Sequence, residues 1–164
     1  MRYALIGICI FTAACSGQPL SPTSPSGVAG TGAQTQASGG DPVEVTFTKW
    51  VPAFPTLAGV TGGDIPGTFA GTVLSRDTFE NGNIVQLEAQ YEVIDPAGDH
   101  SFVAHIAGTQ NNQTQEAVFN GTITAGWLLG AQVHVTYDVI RPCPEFAKSV
   151  CFTGVIRVMP GSAN

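Results

Sequence analysis

Residues 116–140 read EAVFNGTITAGWLLGAQVHVTYDVI, and this stretch carries the clearest folding information in the chain. Apolar and polar residues alternate through two arms that flank the segment AGWLLG. A period of two over β-branched and aromatic residues is typical of strands with one buried face. The stretch therefore predicts a β-hairpin that turns between Gly126 and Gly130. Its inward residues are Ala117, Phe119, Gly121, Ile123, Val133, Val135, Tyr137 and Val139.

The same alternation continues on both sides of this hairpin. The predicted strands cover about 43–50, 67–76, 83–94, 100–109, 116–124, 131–140 and 150–158, and turn-forming residues such as 61–64 and 81–82 separate them. Successive hairpins with one apolar face favour closure, because a flat sheet would leave its edge strands exposed. We therefore expect an all-β domain, a single antiparallel β-barrel of about 7–8 strands. A two-sheet β-sandwich uses the same pattern and is the alternative.

Alternation also assigns the side chains that should fill the interior. Glycines at 71, 121 and 154 fall on the same inward faces, where glycine allows tight curvature or makes room for an aromatic ring. The other expected inward residues are Val85, Leu87, Ala89, Tyr91, Val93, Phe102, Ala104, Ile106, Phe152, Ile156 and Val158.

This run of short-turn hairpins resembles the small barrels of the allene oxide cyclase and dirigent type. The resemblance is architectural and rests on no specific motif. It implies a fold and assigns no residue a role.

The first fifteen residues, MRYALIGICIFTAAC, have the pattern of an export signal: a basic residue, a short apolar run and small residues before a cysteine. The tetrapeptide Thr12-Ala13-Ala14-Cys15 resembles the lipobox of bacterial lipoproteins, although Thr12 stands where that family usually has an aliphatic residue. The resemblance implies that Cys15 is lipidated and anchors the protein to a membrane. An ordinary secretory signal cleaved near Ala14 is the alternative.

Residues 16–40 contain no charged and no aromatic residue and are rich in Gly, Ser, Pro and Thr. Such a composition cannot bury enough apolar surface to fold, so we expect a disordered tether. The all-β domain should span 41–160, followed by a flexible tail at 161–164. The export signal implies an extracytoplasmic site in the cell envelope. Ser16 and Gly17 lack the Asp of a lipoprotein retention signal, which favours the outer membrane if the organism has one.

The charge balance excludes some partners. Without the signal segment the chain carries 5 basic and 12 acidic residues, a net charge of 5 − 12 = −7. Nucleic acid and anionic lipid headgroups both require a basic footprint, so we expect no nucleic-acid partner.

Two cysteines remain in the domain, Cys143 and Cys151, on either side of a short loop before the last strand. In an extracytoplasmic compartment disulfides persist, so we expect these two residues to be bonded. A metal site would need further Cys or His at ligand spacing, and no such spacing occurs. We expect no metal and no cofactor.

Signatures of catalysis are sparse. The chain has no Gly-x-Ser-x-Gly and no Ser-x-x-Lys motif, so no catalytic residue is assigned. His105, His134 and Asp138 lie on polar strand faces and would form an acid/base or metal constellation if their strands were adjacent. Scattered surface histidines are the ordinary interpretation.

Two further features invite a function. The polar run TQNNQTQ at 109–115 is either a solvated loop or a surface that binds carbohydrate through its amides. The apolar segment at 127–129 is expected to cover one end of the barrel, since left exposed it would be an apolar patch that needs a partner.

These observations favour a membrane-tethered, non-enzymatic module for binding or for interaction with an envelope protein. The first alternative is a small-barrel enzyme or carrier with a pocket for a small hydrophobic ligand. Its expected lining is Phe69, Leu87, Tyr91, Phe102, Phe119 and Tyr137. The second alternative is an immunoglobulin-like adhesion module.

Overall fold

The strands follow one another as hairpins around a closed barrel. The computed structural model describes residues 41–161, in which eight antiparallel strands close on themselves. They are β1 (Val43–Ala53), β2 (Thr56–Gly63), β3 (Gly67–Phe79), β4 (Ile84–Ile94), β5 (Phe102–Asn111), β6 (Glu116–Gly126), β7 (Gln132–Ile140) and β8 (Cys151–Met159). Two single-turn 3-10 helices, Glu80–Gly82 and Pro144–Phe146, lie between strands. Among residues 41–161, no helix is long and apolar enough to cross a membrane.

Closure is direct, because the last strand pairs with the first. Val45 in β1 lies opposite Ile156 in β8. All the remaining pairs join strands that follow one another in sequence. The expected all-β barrel is therefore confirmed. The sandwich alternative is wrong, and so is the strand arrangement of an immunoglobulin-like module. The expected signal at 1–15 with Cys15, the tether at 16–40 and the end of the tail at 162–164 lie outside the described residues.

One strand was not predicted. The sequence of β2, TLAGVTGG, has three glycines, and its only large apolar residues are Leu57 and Val60. Its last three residues were assigned to a turn, yet Thr61, Gly62 and Gly63 pair with β1. Small side chains give little contrast between inward and outward positions, so the alternating pattern is weak here. The strand still forms because its backbone groups pair with β1 and β3.

The two ends of the barrel differ. At the end where the described chain begins and finishes, which we call the closed end, the connections are 64–66, 95–101 and 127–131. Ile65 is 2% exposed there, and Trp127 and Leu128 pack partly buried against the core. The expected cover at 127–129 is thus present for two of its three residues, while Leu129 is exposed.

The opposite end, which we call the open end, carries the connections 54–55, 80–83, 112–115 and 141–150. The predicted disulfide is present in the last of these: Cys143 and Cys151 are bonded, both are buried, and they are 8 residues apart in sequence. It ties the loop before β8 to the start of that strand.

Inward glycine makes room for aromatic rings, as expected. Gly154 lies opposite Phe47 on one side and Tyr137 on the other. A Cβ at Gly154 would lie 1.9 Å from the carbonyl oxygen of Thr136 and 2.6 Å from Cβ of Tyr137, so no other residue fits without movement. The rings of Phe47 and Tyr137 meet edge to face, with centroids 6.4 Å apart.

Candidate ligand-binding cavity

A cavity of about 400 Å³ opens at the open end of the barrel. All eight strands contribute residues to its walls, together with residues of the connections at the open end. Its lining consists of Lys49, Val51, Phe54, Leu57, Val73, Arg76, Val85, Leu87, Ala89, Tyr91, Gln110, Asn112, Gln115, Phe119, Tyr137, Arg141 and Phe152.

The expected pocket residues divide into two groups. Leu87, Tyr91, Phe119 and Tyr137 line the cavity. Phe69 and Phe102 do not belong to its lining. Phe69 packs below it with its ring centroid 4.8 Å from that of Tyr91, and Phe102 is buried at the start of β5, at the closed end. Binding of a ligand by the four lining residues stays a prediction.

Lys49 lies deep in the cavity, where the sequence would ordinarily place an apolar side chain. Val45, Phe47 and Lys49 occupy alternate positions of β1 and all point inward, and Lys49 is only 2% exposed. Its Nζ donates a hydrogen bond to the hydroxyl oxygen of Tyr91. Five rings surround the Nζ atom, with centroids at 4.1 Å (Tyr91), 4.2 Å (Tyr137), 5.3 Å (Phe47), 5.7 Å (Phe152) and 5.8 Å (Phe69).

Burial without a counter-ion governs the protonation of this group. No carboxylate lines the cavity, and among residues 41–161 none lies within ion-pair distance of Lys49. Desolvation by burial lowers the pKa of Lys49 well below its ordinary value. Burial likewise raises the pKa values of the phenols of Tyr91 and Tyr137, and for Tyr91 the proximity of Tyr137 adds to the increase. The interior thus favours a neutral amine beside neutral phenols.

A chain of amide groups leads from the interior to the rim. The hydroxyl of Tyr137 donates to Oε1 of Gln110 at 2.9 Å, and Nε2 of Gln110 donates to Oδ1 of Asn112 at 2.6 Å. Nδ2 of Asn112 in turn donates to the carbonyl oxygen of Gly82 at 2.7 Å. The polar run at 109–115 is therefore not simply a solvated loop, because Gln110, Asn112 and Gln115 line the cavity.

Two arginines, Arg76 and Arg141, lie at the mouth, and a β-bulge places the first of them. Val73 pairs with Ala89 and Ser75 pairs with Glu88, which leaves Leu74 as an extra residue. A bulge of this kind reverses which side chains point inward. Ser75, which unbroken alternation from Val73 would place inward, lies opposite the outward-facing Glu88 instead, and Arg76, opposite Leu87, joins the cavity lining.

Charge is segregated between the cavity and the outer surface. Of the five basic residues between 41 and 161, three line the cavity, whereas none of the twelve acidic residues does. Within the described part of the chain, neither Arg76 nor Arg141 has a carboxylate within 4.0 Å. A protein that is acidic overall therefore contains a basic, apolar-walled cavity, and such a cavity concentrates its field on an anion.

The expected polar constellation does not assemble. Strand β6 lies between β5, which carries His105, and β7, which carries His134 and Asp138. His105 bonds to Glu88 at 2.7 Å, and His134 bonds to Asn120 at 2.8 Å. Asp138 is four residues from His134, roughly 13 Å along the strand. Within residues 41–161 no group of three or more His, Cys, Asp or Glu side chains is arranged to hold a metal ion.

Three of the polar groups that matter most here were not expected from the sequence. Lys49 was counted only as a charge, although its position in the alternation of β1 marks it as inward. Gln110 has the same signal, because it continues the inward series Phe102, Ala104, Ile106 along β5. For Arg76 the alternation gives the wrong face, since nothing in the sequence marks the bulge.

Comparison with models of known protein families, with curated protein sequences and with solved structures found no significant match.

Proposed function

We propose that the barrel binds a small amphipathic molecule with an apolar body and an anionic head group, and that it acts as a tethered binding protein or carrier. The observation that carries the proposal is the cavity itself: apolar walls, two arginines at its mouth and no carboxylate around it. The anionic head group would pair with Arg76 and Arg141 at the mouth, with the apolar body inside.

Size and energetics support a ligand of this class. Small-molecule pockets in proteins measure roughly 300–1,000 Å³, so about 400 Å³ suits a short or medium alkyl chain or a small ring system. Each methylene transferred from water contributes about 0.8 kcal/mol. Two guanidinium groups on an apolar rim select a carboxylate or a phosphate over a neutral head group of the same size.

The N-terminal segment provides the basis for proposing where in the cell this binding takes place. We propose that Cys15 is lipidated and that residues 16–40 tether the barrel at the extracytoplasmic face of the envelope. The described chain begins at the closed end, so the mouth lies at the opposite end from the residue that the tether joins. Transfer of the ligand to an envelope protein is compatible with this arrangement. No catalytic step is assigned.

The binding test compares ligands that share a ten-carbon chain. Isothermal titration calorimetry with decanoate, 1-decanol and decylamine should give the tightest binding for decanoate and the weakest for decylamine. Leu87→Trp should abolish binding by filling the cavity, whereas Val118→Trp, at a position 45% exposed on β6, should leave it unchanged. Equal affinities for the acid and the amine would contradict the proposal.

The tether is tested separately by replacing the cysteine. We expect Cys15→Ser to move the protein from the membrane fraction to the soluble fraction without changing its affinity for decanoate. Cys9→Ser, in the same signal segment, is the matched control and should remain with the membrane. Membrane association of the Cys15→Ser variant would contradict the anchor.

A further inference from the structure

Lys49 is the basic group of the cavity that head-group binding does not require. Arg76 and Arg141 already serve the mouth, while Lys49 lies among aromatic rings below them. A lysine buried without a counter-ion destabilises the free protein relative to an apolar residue. Its presence therefore indicates a functional role. Lysines desolvated in apolar pockets act as nucleophiles toward carbonyl groups.

We propose that the Nζ of Lys49 forms a Schiff base with a hydrophobic aldehyde or ketone whose apolar body occupies the cavity. The inference uses the cavity of the proposed function but not its anionic head group. It assigns to the site a second chemical class of ligand, one that is held covalently and reversibly.

The chemistry balances without any further reactant. Nζ adds to the carbonyl carbon and gives a carbinolamine. The carbon–oxygen bond then breaks, a carbon–nitrogen double bond forms, and the oxygen leaves as water with the two protons that the amine has lost. No oxidation or reduction takes place, and hydrolysis reverses the step.

The surroundings of Lys49 suit each part of this step. The Tyr91 hydroxyl, hydrogen-bonded to Nζ, is placed to pass a proton to the departing oxygen. Tyr137 is the other titratable group in contact with Lys49, and Arg76 and Arg141 are the remaining charged groups around the cavity. Burial lowers the pKa of Lys49, which favours the unprotonated and nucleophilic form of its amine. The rings around Nζ leave Lys49 only 2% exposed, which limits the access of water to the product.

The chain contains its own control for a trapping experiment, because it has only two lysines, Lys49 and Lys148. Lys148 is exposed and lies over the ring of Trp50 outside the cavity. The purified protein would be incubated at neutral pH with decanal and sodium cyanoborohydride, which reduces an imine to a stable secondary amine. Peptide mass spectrometry then gives the extent of N-decyl labelling at each lysine.

We expect labelling at Lys49 to exceed that at Lys148 by at least about tenfold, since each unit by which a pKa falls raises the unprotonated fraction about tenfold. Decanoate should suppress labelling at Lys49 and leave Lys148 unaffected. Tyr91→Phe should slow the labelling of Lys49 by up to about 100-fold, as expected for loss of a positioned proton donor. Lys49→Arg should abolish labelling at that position while the far-ultraviolet circular dichroism of the barrel is kept.

Two results would overturn the inference: labelling at Lys148 equal to that at Lys49, or no labelling at Lys49 in a folded protein that still binds decanoate. The second of these would leave the proposed function intact. Conversely, selective labelling of Lys49 by decanal in a protein that fails to bind decanoate would support the Schiff base and refute the anionic-ligand proposal.

Discussion

The two ends of the barrel are built from the same alternating strands but are filled differently. At the closed end, Phe102, Ile123 and Val133 are each about 1% exposed and pack under the cover made by Ile65 and Trp127. At the open end, the inward positions carry a lysine, two tyrosines and a glutamine around a cavity. The closed end can therefore supply most of the stability, which leaves the open end free to accept polar groups and empty space that a core would not tolerate.

The largest expected effect compares the same substitution at the two ends. Phe102→Ala should lower the free energy of unfolding by about 3–5 kcal/mol, because it leaves an enclosed cavity in a packed core. Phe152→Ala should cost only about 1–2 kcal/mol, because Phe152 already borders open space and its ring is partly exposed. Urea unfolding measures both values. Equal losses would contradict the division into a packed end and an open end.

The disulfide at the open rim should rank next. Replacing both Cys143 and Cys151 by serine should reduce the free energy of unfolding by about 2.5 kcal/mol, the value expected for cross-linking a loop of this length. A reductant should lower the melting temperature of the wild-type protein and leave that of the double variant unchanged. A wild-type protein that melts at the same temperature with and without reductant would refute this contribution.

Lys49→Met should stabilise the free protein while removing the amine that we propose forms the Schiff base. The pKa of Lys49 is lower in the folded protein than the ordinary value of 10.5, so between these two values the unfolded chain binds more protons. The stability of the wild-type protein therefore rises with pH across that window, and the penalty from Lys49 is greatest below the folded-state pKa. The variant should show a higher melting temperature near neutral pH, by about 4 °C for each kcal/mol gained.

The gain from Lys49→Met should shrink as the pH rises toward 10.5 and vanish above that value, where the amine is neutral in both states. Thermal unfolding at pH 6, 8 and 10 measures this trend. Lys49→Ala is the control for lost packing, since it removes the charge and most of the side-chain volume. If Lys49→Met lowered stability at every pH, the claim that Lys49 is held without a counter-ion would fail.

The smallest expected effect concerns the arginines of the mouth. Arg76→Gln and Arg141→Gln should each weaken decanoate binding by about two- to fivefold, the range for a solvent-exposed ion pair. Arg157→Gln makes the same change in net charge on the outer surface, where Arg157 pairs with Glu44, and it should leave the affinity unaltered. Equal weakening by all three substitutions would show that net charge, rather than position, governs binding.

Much of the fold could be predicted because alternation is a local signal. Each inward residue of β6 and β7 was identified from the sequence, since a one-residue shift would place the whole apolar set in solvent. Strand β2 was not predicted, because its small residues and glycines give almost no contrast between its inward and outward faces. Alternation predicts where a side chain points and gives no account of how well its neighbours fill the space around it.

That limit explains why the site was predicted only in part. Leu87, Tyr91, Phe119 and Tyr137 were placed in a pocket from their inward positions, but the same rule placed Phe102 there although it is packed at the closed end. The distinction depends on the height of each residue along the barrel, which follows from the register of all eight strands. The role of Arg76 depends on a bulge, and that of Asn112 on a loop, and neither follows a period.

The most direct test of a ligand-binding cavity at the open end is a titration of the ¹⁵N-labelled protein with decanoate, monitored by NMR. We expect backbone amide resonances at the open end, such as those of Gln110, Gln115 and Arg141, to shift on binding, while those of Ile65 and Trp127 at the closed end stay in place. Shifts confined to the outer strand faces or the closed end, or no shifts at millimolar decanoate, would contradict a ligand-binding cavity at the open end.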